Sequence, residues 1–221
     1  MILTFDTATH ACSAALDTGE RQFSQFEIAP RQHAQLLLPM IKKLFDDAGV
    51  QLKQLKVIGF GMGPGSFMGV RLATATAQGL AFGLQIPVIP ISTLQTVAQT
   101  AYEKTGAKKV AAGWDARMNE IYWGVYAVDD KNLMQPVIED QLSQPTLIDV
   151  PADAVLVGNA WSVYRDQLSR ETRALSREEN IYPEAKIMLS ITREKYNNGK
   201  VVSPDVVRPH YIREKVAQPN L

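Results

Sequence analysis

The side chains able to do chemistry in this 221-residue chain are few: three histidines (His10, His33, His210), one cysteine (Cys12), an aspartate closing the first apolar run (Asp6) and an Asp115-x-Arg117 pair. Two histidines at i, i+4 would share one helix face and could hold a metal. Here His33 is followed four residues on by Leu37, so half of such a pair is missing, and nothing else clusters at ligand spacing. A lone histidine near a helix start reads as a cap or a surface group. Cys12 lies in an apolar, strand-like run, which rules out a disulfide framework and suits a buried, inert thiol. Asp6, followed by Thr7, would either orient a Mg²⁺-bound water or cap the turn that ends its strand, the commoner role for such an aspartate. Asp115 and Arg117 read as a self-satisfied hairpin or as a contact for a partner, and both readings stand.

Seven of the 14 glycines lie between Gly59 and Gly83. An apolar run from Val57 leads into Gly61-Met62-Gly63-Pro64-Gly65-Ser66 and then an uninterrupted helical stretch, a strand, tight turn and helix with Ser66 as N-cap. A glycine turn feeding a helix N-terminus can bind phosphate. The spacing fits neither a Walker loop nor the dinucleotide fingerprint, and Ser66 is not the centre of a nucleophile elbow. The glycines therefore read as a tight turn with close backbone packing.

The helix over residues 67–84 carries one charge, Arg71, and lines up Gly69, Ala73, Ala77 and Ala81 at i, i+4. A helix apolar or small on nearly every side is buried on nearly every side, and a small-residue stripe admits another helix closely. The segment from His33 to Ala48 spreads its apolar residues over roughly twice the usual stripe, with Pro39 inside it. Both helices read either as buried against other elements of their own chain or as leaving a face for another protein, in the second case built from His33, Leu36, Leu37, Met40 and Leu44 on one and Ser66, Phe67, Gly69, Val70, Arg71, Ala73 and Ala77 on the other. On this reading Ala73→Arg should abolish association while leaving the fold intact.

Around these residues the first hundred positions read β-β-β-α-β-α-β-α, a mixed α/β sheet covered by helices. A boundary near Gly106 separates residues 1–104 from 105–221, with the last stretch of about 14 residues returning to the first lobe. The second half opens with a hairpin, Val110–Trp114 and Ile121–Val128, followed by a strand at Ala154–Val157 and a helix from Pro183 to Asn197. Lys plus Arg equals Asp plus Glu at 23 each, which gives no electrostatic case for binding nucleic acid alone. No segment approaches the ~18 apolar residues of a membrane span, and the N-terminus has no signal-like pattern, so a cytoplasmic protein is expected.

Taken together, Met1-Ile-Leu-Thr-Phe-Asp6-Thr7-Ala8-Thr9, His33-Ala-Gln-Leu-Leu37-Leu-Pro39, Gly63-Pro-Gly-Ser-Phe-Met-Gly-Val-Arg71, Ile91-Ser-Thr-Leu94, Asp115-Ala-Arg-Met118 and Arg208-Pro-His-Tyr211 resemble the bacterial TsaB (YeaZ) family along the whole chain. The resemblance implies an actin-like (ASKHA) fold of two related lobes. It implies a non-catalytic subunit that binds and activates TsaD in making threonylcarbamoyladenosine beside the tRNA anticodon, with TsaE as a further partner; the two over-apolar helices in turn predict a homodimer on the same surface when TsaD is absent. It also implies tRNA contact only through the complex, no cofactor in the isolated chain, and ATP/ADP and metal on partner subunits. Actin-like phosphotransferases open with an Asp-x-Gly turn, whereas Ala8 places a Cβ there, so Asp6 and Thr7 would mark at most a vestigial phosphate site. Val157-Gly158-Asn159 falls where an adenosine loop would lie, with a single glycine. A stand-alone ATP-dependent kinase using Asp6 as base is the second reading; a peptidase is the third and lacks both metal pair and nucleophile.

Overall fold

The computed structural model describes residues 1–210, 212 and 213. Tyr211 and residues 214–221, part of the expected C-terminal return, lie outside the described residues. Each half of the chain lays down the same pattern. Strands β1 (Ile2–Asp6), β2 (Ala11–Asp17) and β3 (Gln22–Ile28) form an antiparallel meander, and helices α1 (His33–Ala48) and α2 (Phe67–Leu84) alternate with β4 (Val57–Gly61) and β5 (Val88–Ile91), which add in parallel to give the order β3-β2-β1-β4-β5. After α3 (Thr93–Thr105) the meander recurs as β6 (Lys109–Asp115), β7 (Ile121–Val128) and β8 (Met134–Ser143). Then β9 (Val155–Val157) and β10 (Arg177–Glu178) pair in parallel, with short helices α4 (Ala160–Val163) and α5 (Arg170–Ala174) between them. The second sheet runs β10-β9-β6-β7-β8, the order of the first with its partners renumbered, so the two lobes are related.

Apart from its edge strand β3, the first sheet is buried on both faces. Leu3, Phe5, Leu16, Ile58 and Phe60 pack beneath α1 and α2, with Leu37, Ile41 and Leu44 from α1 and Ala73, Ala77 and Ala81 from α2. Burying a leucine such as Leu37 or Leu44 contributes about 1.5–3 kcal/mol. The opposite face, with Val57, Ile89 and Ile91, is covered by Met188, Leu189 and Ile191 of α6 (Ala185–Asn197). In the second sheet Val110, Ala112 and Tyr126 pack on Leu94, Val97 and Ala101 of α3, and Trp161 fills the other side.

This packing interleaves the lobes where the sequence places a single boundary at 104/105. α3 belongs by its contacts to the second sheet, and α6, late in the chain, belongs to the first. The reason is geometric: a strand meander with two parallel additions leaves one face open, and the helix that follows the last strand of each half crosses over to close it. Among the described residues no helix is long and apolar enough to cross a membrane.

Candidate functional site

The glycine turn is a packing device. Ser66 caps α2, accepting from the Gly69 amide at 3.1 Å. A Cβ at Gly69 would lie 1.9 Å from the Thr7 carbonyl oxygen, one at Gly65 2.3 Å from that of Ala8, and one at Gly61 1.9 Å from the Asp6 carboxylate. The first turn of α2 thus sits directly on the β1–β2 turn, and the Thr7 hydroxyl donates to the Gly69 carbonyl at 2.7 Å. Asp6 is fully buried; its Oδ1 accepts from the Ala8 amide at 2.7 Å and its Oδ2 from the Thr93 hydroxyl at 2.9 Å. Loss of water raises its pKa to about 6, offset in part by those two hydrogen bonds. The vestigial phosphate site expected from Asp6 and Thr7 is therefore not formed, because both side chains are spent on turn and helix.

The two helices expected to carry a docking face both form, but most of the residues expected on that face are buried. Leu37, Met40, Leu44, Gly69, Val70, Ala73 and Ala77 are buried within the chain itself. Ala73 is 0% exposed, so an arginine there would disrupt the core instead of probing a partner. The small-residue stripe faces the sheet because a helix must come close to a pleated surface just as to another helix. Ser66 and Phe67 are exposed, while His33, Leu36 and Arg71 are partly so. The Arg71 guanidinium stacks over the Phe67 ring, 3.1 Å from its centroid.

The outward face of α2 consists of Met68, Leu72, Ala75, Gly79, Phe82 and Gly83, spaced at i+4, i+7, i+11, i+14 and i+15, about 100° of arc with no charge in it. Met68 is 71% and Phe82 69% exposed. Added Cβ atoms at Gly79 and Gly83 would meet nothing within 4 Å. Leu38 of α1, 56% exposed, is a further apolar group on the neighbouring helix. The signal was present in the sequence as an uncharged register, but it competed with the glycine–alanine register on the same helix.

Between the lobes lies a cleft of about 290 Å³ lined by Thr9, His10, Phe67, Trp114, Tyr122 and Arg117, among others. Asp115 sits at its wall. Its Oδ1 accepts from the Arg117 amide and the Tyr164 hydroxyl, both at 2.8 Å, and its Oδ2 faces the Arg117 guanidinium at 3.0 Å. Burial, then the bond to Asp115, pushes the Tyr164 hydroxyl up to about 12. Asn159 Oδ1 accepts from the Asp115 amide at 3.0 Å, so the loop at Gly158 serves the hairpin. Gly158 itself has φ +103°, and a Cβ there would lie 2.2 Å from the Gly113 carbonyl oxygen. Residues Arg117, Met118 and Asn119 at the hairpin tip have φ of +61°, +56° and +60°; left-handed backbone of this kind costs non-glycine residues about 1–2 kcal/mol each. His33 Nε2 donates to the Ala11 carbonyl at 3.2 Å, and burial pulls its pKa below the usual value. Among the described residues no group of three or more His, Cys, Asp or Glu is placed to hold a metal.

Known proteins resemble this chain over nearly its full length. A family model described as TsaD, tRNA N6-adenosine threonylcarbamoyltransferase, matches residues 21–220. The tRNA threonylcarbamoyladenosine biosynthesis protein TsaB of Escherichia coli (strain K12) is 37% identical, covering 98% of this chain and 96% of that one. Its counterpart in Haemophilus influenzae is 35% identical over 97% and 94%. A solved structure of YeaZ from Pseudomonas aeruginosa superposes with a TM-score of 0.90 at 40% identity, covering 95% of this chain and 98% of that one. A second, described as an uncharacterized protein with similarity to peptidase YeaZ from the same organism, superposes at 0.91 and 40% identity over 96% and 99%.

Proposed function

This chain belongs to the TsaB (YeaZ) family, with its actin-like α/β fold, and from that premise we propose that it serves tRNA threonylcarbamoyladenosine synthesis as a non-catalytic subunit that binds and activates TsaD. The observation that carries the docking role is the uncharged outward face of α2, from Met68 to Gly83, whose two glycines let a partner helix approach without meeting a side chain. An exposed apolar face of this kind supports a role in protein–protein contact. The same face is two-fold self-complementary in composition and supports a homodimer when TsaD is absent, so the two assemblies compete. TsaE joins the complex, tRNA is met through it, nucleotide and metal reside on the partners, and the setting is the cytoplasm.

The kinase reading loses its base, since the Asp6 carboxylate is turned into the interior and bonded to Ala8 and Thr93. The peptidase reading gains no nucleophile–base pair from the cleft.

The test places a charge on the exposed face. Ala75→Arg leaves the core untouched because Ala75 is exposed. In an assembled interface the guanidinium would be buried without a partner, at a cost of about 3 kcal/mol or more. Sedimentation should show a folded monomer whose TsaD affinity falls roughly a hundredfold, and threonylcarbamoyladenosine formation in the reconstituted system, read by nucleoside mass spectrometry, should fall with it. Unchanged affinity and product would overturn the assignment of this face.

A further inference from the structure

Beyond α6 the described chain runs back across both lobes in five separate holds. Val202 exchanges both backbone hydrogen bonds with Val88 on the outer edge of β5, each 2.9 Å. The Gln78 amide, on the flank of α2, donates to the carbonyls of Pro204 at 3.2 Å and Val207 at 3.0 Å. Val207 is buried in the first-lobe core, and the His210 amide donates to the Met62 carbonyl at 3.0 Å, just past β4. Arg213 then crosses to the second lobe. Its guanidinium pairs with Glu120, donates to the Arg117 carbonyl at 3.3 Å and approaches the Met118 sulfur at 3.6 Å, gripping the tip whose three residues are held left-handed.

The near end of this segment lies against the docking face. Gly79 and Phe82 of the α2 stripe share a surface hollow with Pro204 and Asp205. A partner laid along the stripe must therefore touch the segment as well as the helix. The far end sets the mouth of the cleft, which Arg117 and Arg213 both line.

We propose that residues 201–210, 212 and 213 act as a strap coupling the outward face of α2 to the mouth of the interlobe cleft, so that docking on α2 tightens the grip of Arg213 on the β6–β7 tip. The inference rests on the docking reading given above. The coupling is reciprocal: whatever factor docking adds to the grip, loss of the grip removes from docking. The Gln78 amide is the transmitting contact, since it alone ties an α2 side chain to two strap carbonyls among the hydrogen bonds described. The strained tip supplies the second state, because left-handed backbone without glycine relaxes once its restraint is lost.

Hydrogen exchange at the tip amides of Ala116 and Glu120, which bond to Glu120 and Arg117 carbonyls, tests the strap in the free, full-length protein. Gln78→Ala should accelerate exchange there about fivefold or more, the worth of one or two ordinary hydrogen bonds. Gln78→Met, which keeps the side-chain bulk and removes the donor, should do the same, as should Arg213→Ala. The Gln78→Ala/Arg213→Ala double variant should be no faster than either single one. Acceleration by Arg213→Ala alone makes the grip a local contact and overturns the coupling; no acceleration by any variant overturns the grip itself. In a second arm TsaD is added. Slower tip exchange in the wild type, and none in Arg213→Ala when both bind, is expected, and binding without any change at the tip overturns the coupling. Failure of TsaD to bind the wild type would remove the docking reading, while the first arm still decides the strap.

Discussion

Gly69 and Gly79 lie on the same helix, and one substitution should push them in opposite directions. At Gly69 a methyl group would enter the Thr7 carbonyl oxygen, a backbone atom that cannot swing aside. Gly69→Ala should therefore destabilise the chain by about 1–3 kcal/mol, the usual cost of overpacking. At Gly79 the added methyl meets open space, and replacing glycine in a helix interior recovers about 0.8–1 kcal/mol of propensity. Gly79→Ala should raise the denaturant midpoint and at the same time weaken docking, because the close approach is lost. Urea unfolding of both variants, with TsaD titration of the second, checks the pair. A Gly79→Ala protein that is more stable and binds as tightly as the wild type would mean that the partner does not pack at this glycine.

At the scale of elements the N-terminus of α3 is the joint between lobes. Its cap, Ser92, accepts from the Gln95 amide at 3.1 Å and donates to Asp140 of β8 at 2.5 Å, where the Tyr126 hydroxyl also bonds. Thr93, the next residue, donates to Asp6 of β1. Two carboxylates from two sheets thus hold one helical turn, and burial raises the pKa of both. The folded state binds these protons more tightly than the unfolded chain does. Their contribution is therefore fully present below the unfolded value and is lost as pH rises, for Asp6 through the interval from 3.8 to about 6. Ionising Asp6 in the folded protein costs about 3 kcal/mol on this shift. Asp6→Asn keeps an acceptor for the Ala8 amide and should be more stable than the wild type at pH 8, with the advantage fading by pH 4. Urea titrations at both values read it; an advantage independent of pH would place the effect in packing.

Part of this joint was legible beforehand: Ser66 stands as a cap before an uninterrupted helical run, and Val57–Gly61 and Val88–Ile91 are apolar without a break, whereas Ser92 reads as the first residue of its helix and caps it instead. Less could be read where one pattern served two causes. The glycine–alanine register of α2 suits a sheet as well as a helix, and the sheet took it. β8 went unseen because Pro136, Glu139 and Asp140 interrupt its alternation, the last of these being the carboxylate that binds Ser92. The positions of α3 and α6 depend on which sheet face stands open, which no local pattern encodes.

For the whole molecule the exchange of α3 and α6 between lobes sets what can fold alone. A fragment of residues 1–104 would carry α3 without its sheet and would leave Val57, Ile89 and Ile91 uncovered by Met188, Leu189 and Ile191. Such a fragment should retain helix signal in far-ultraviolet circular dichroism yet lack fixed near-ultraviolet bands and bind a hydrophobic dye; a cooperative unfolding transition from it would contradict the interleaving. On a ribosome the same arrangement acts as a clock. The stretch from α3 to β10 is continuous and can close as soon as it has emerged, whereas the first sheet waits for α6, made more than a hundred residues after α2. The helix proposed above for docking therefore exists long before the body beneath it is finished, since α6 closes the first sheet only at Asn197 and the chain that flanks α2 at Pro204 and Asp205 comes later still.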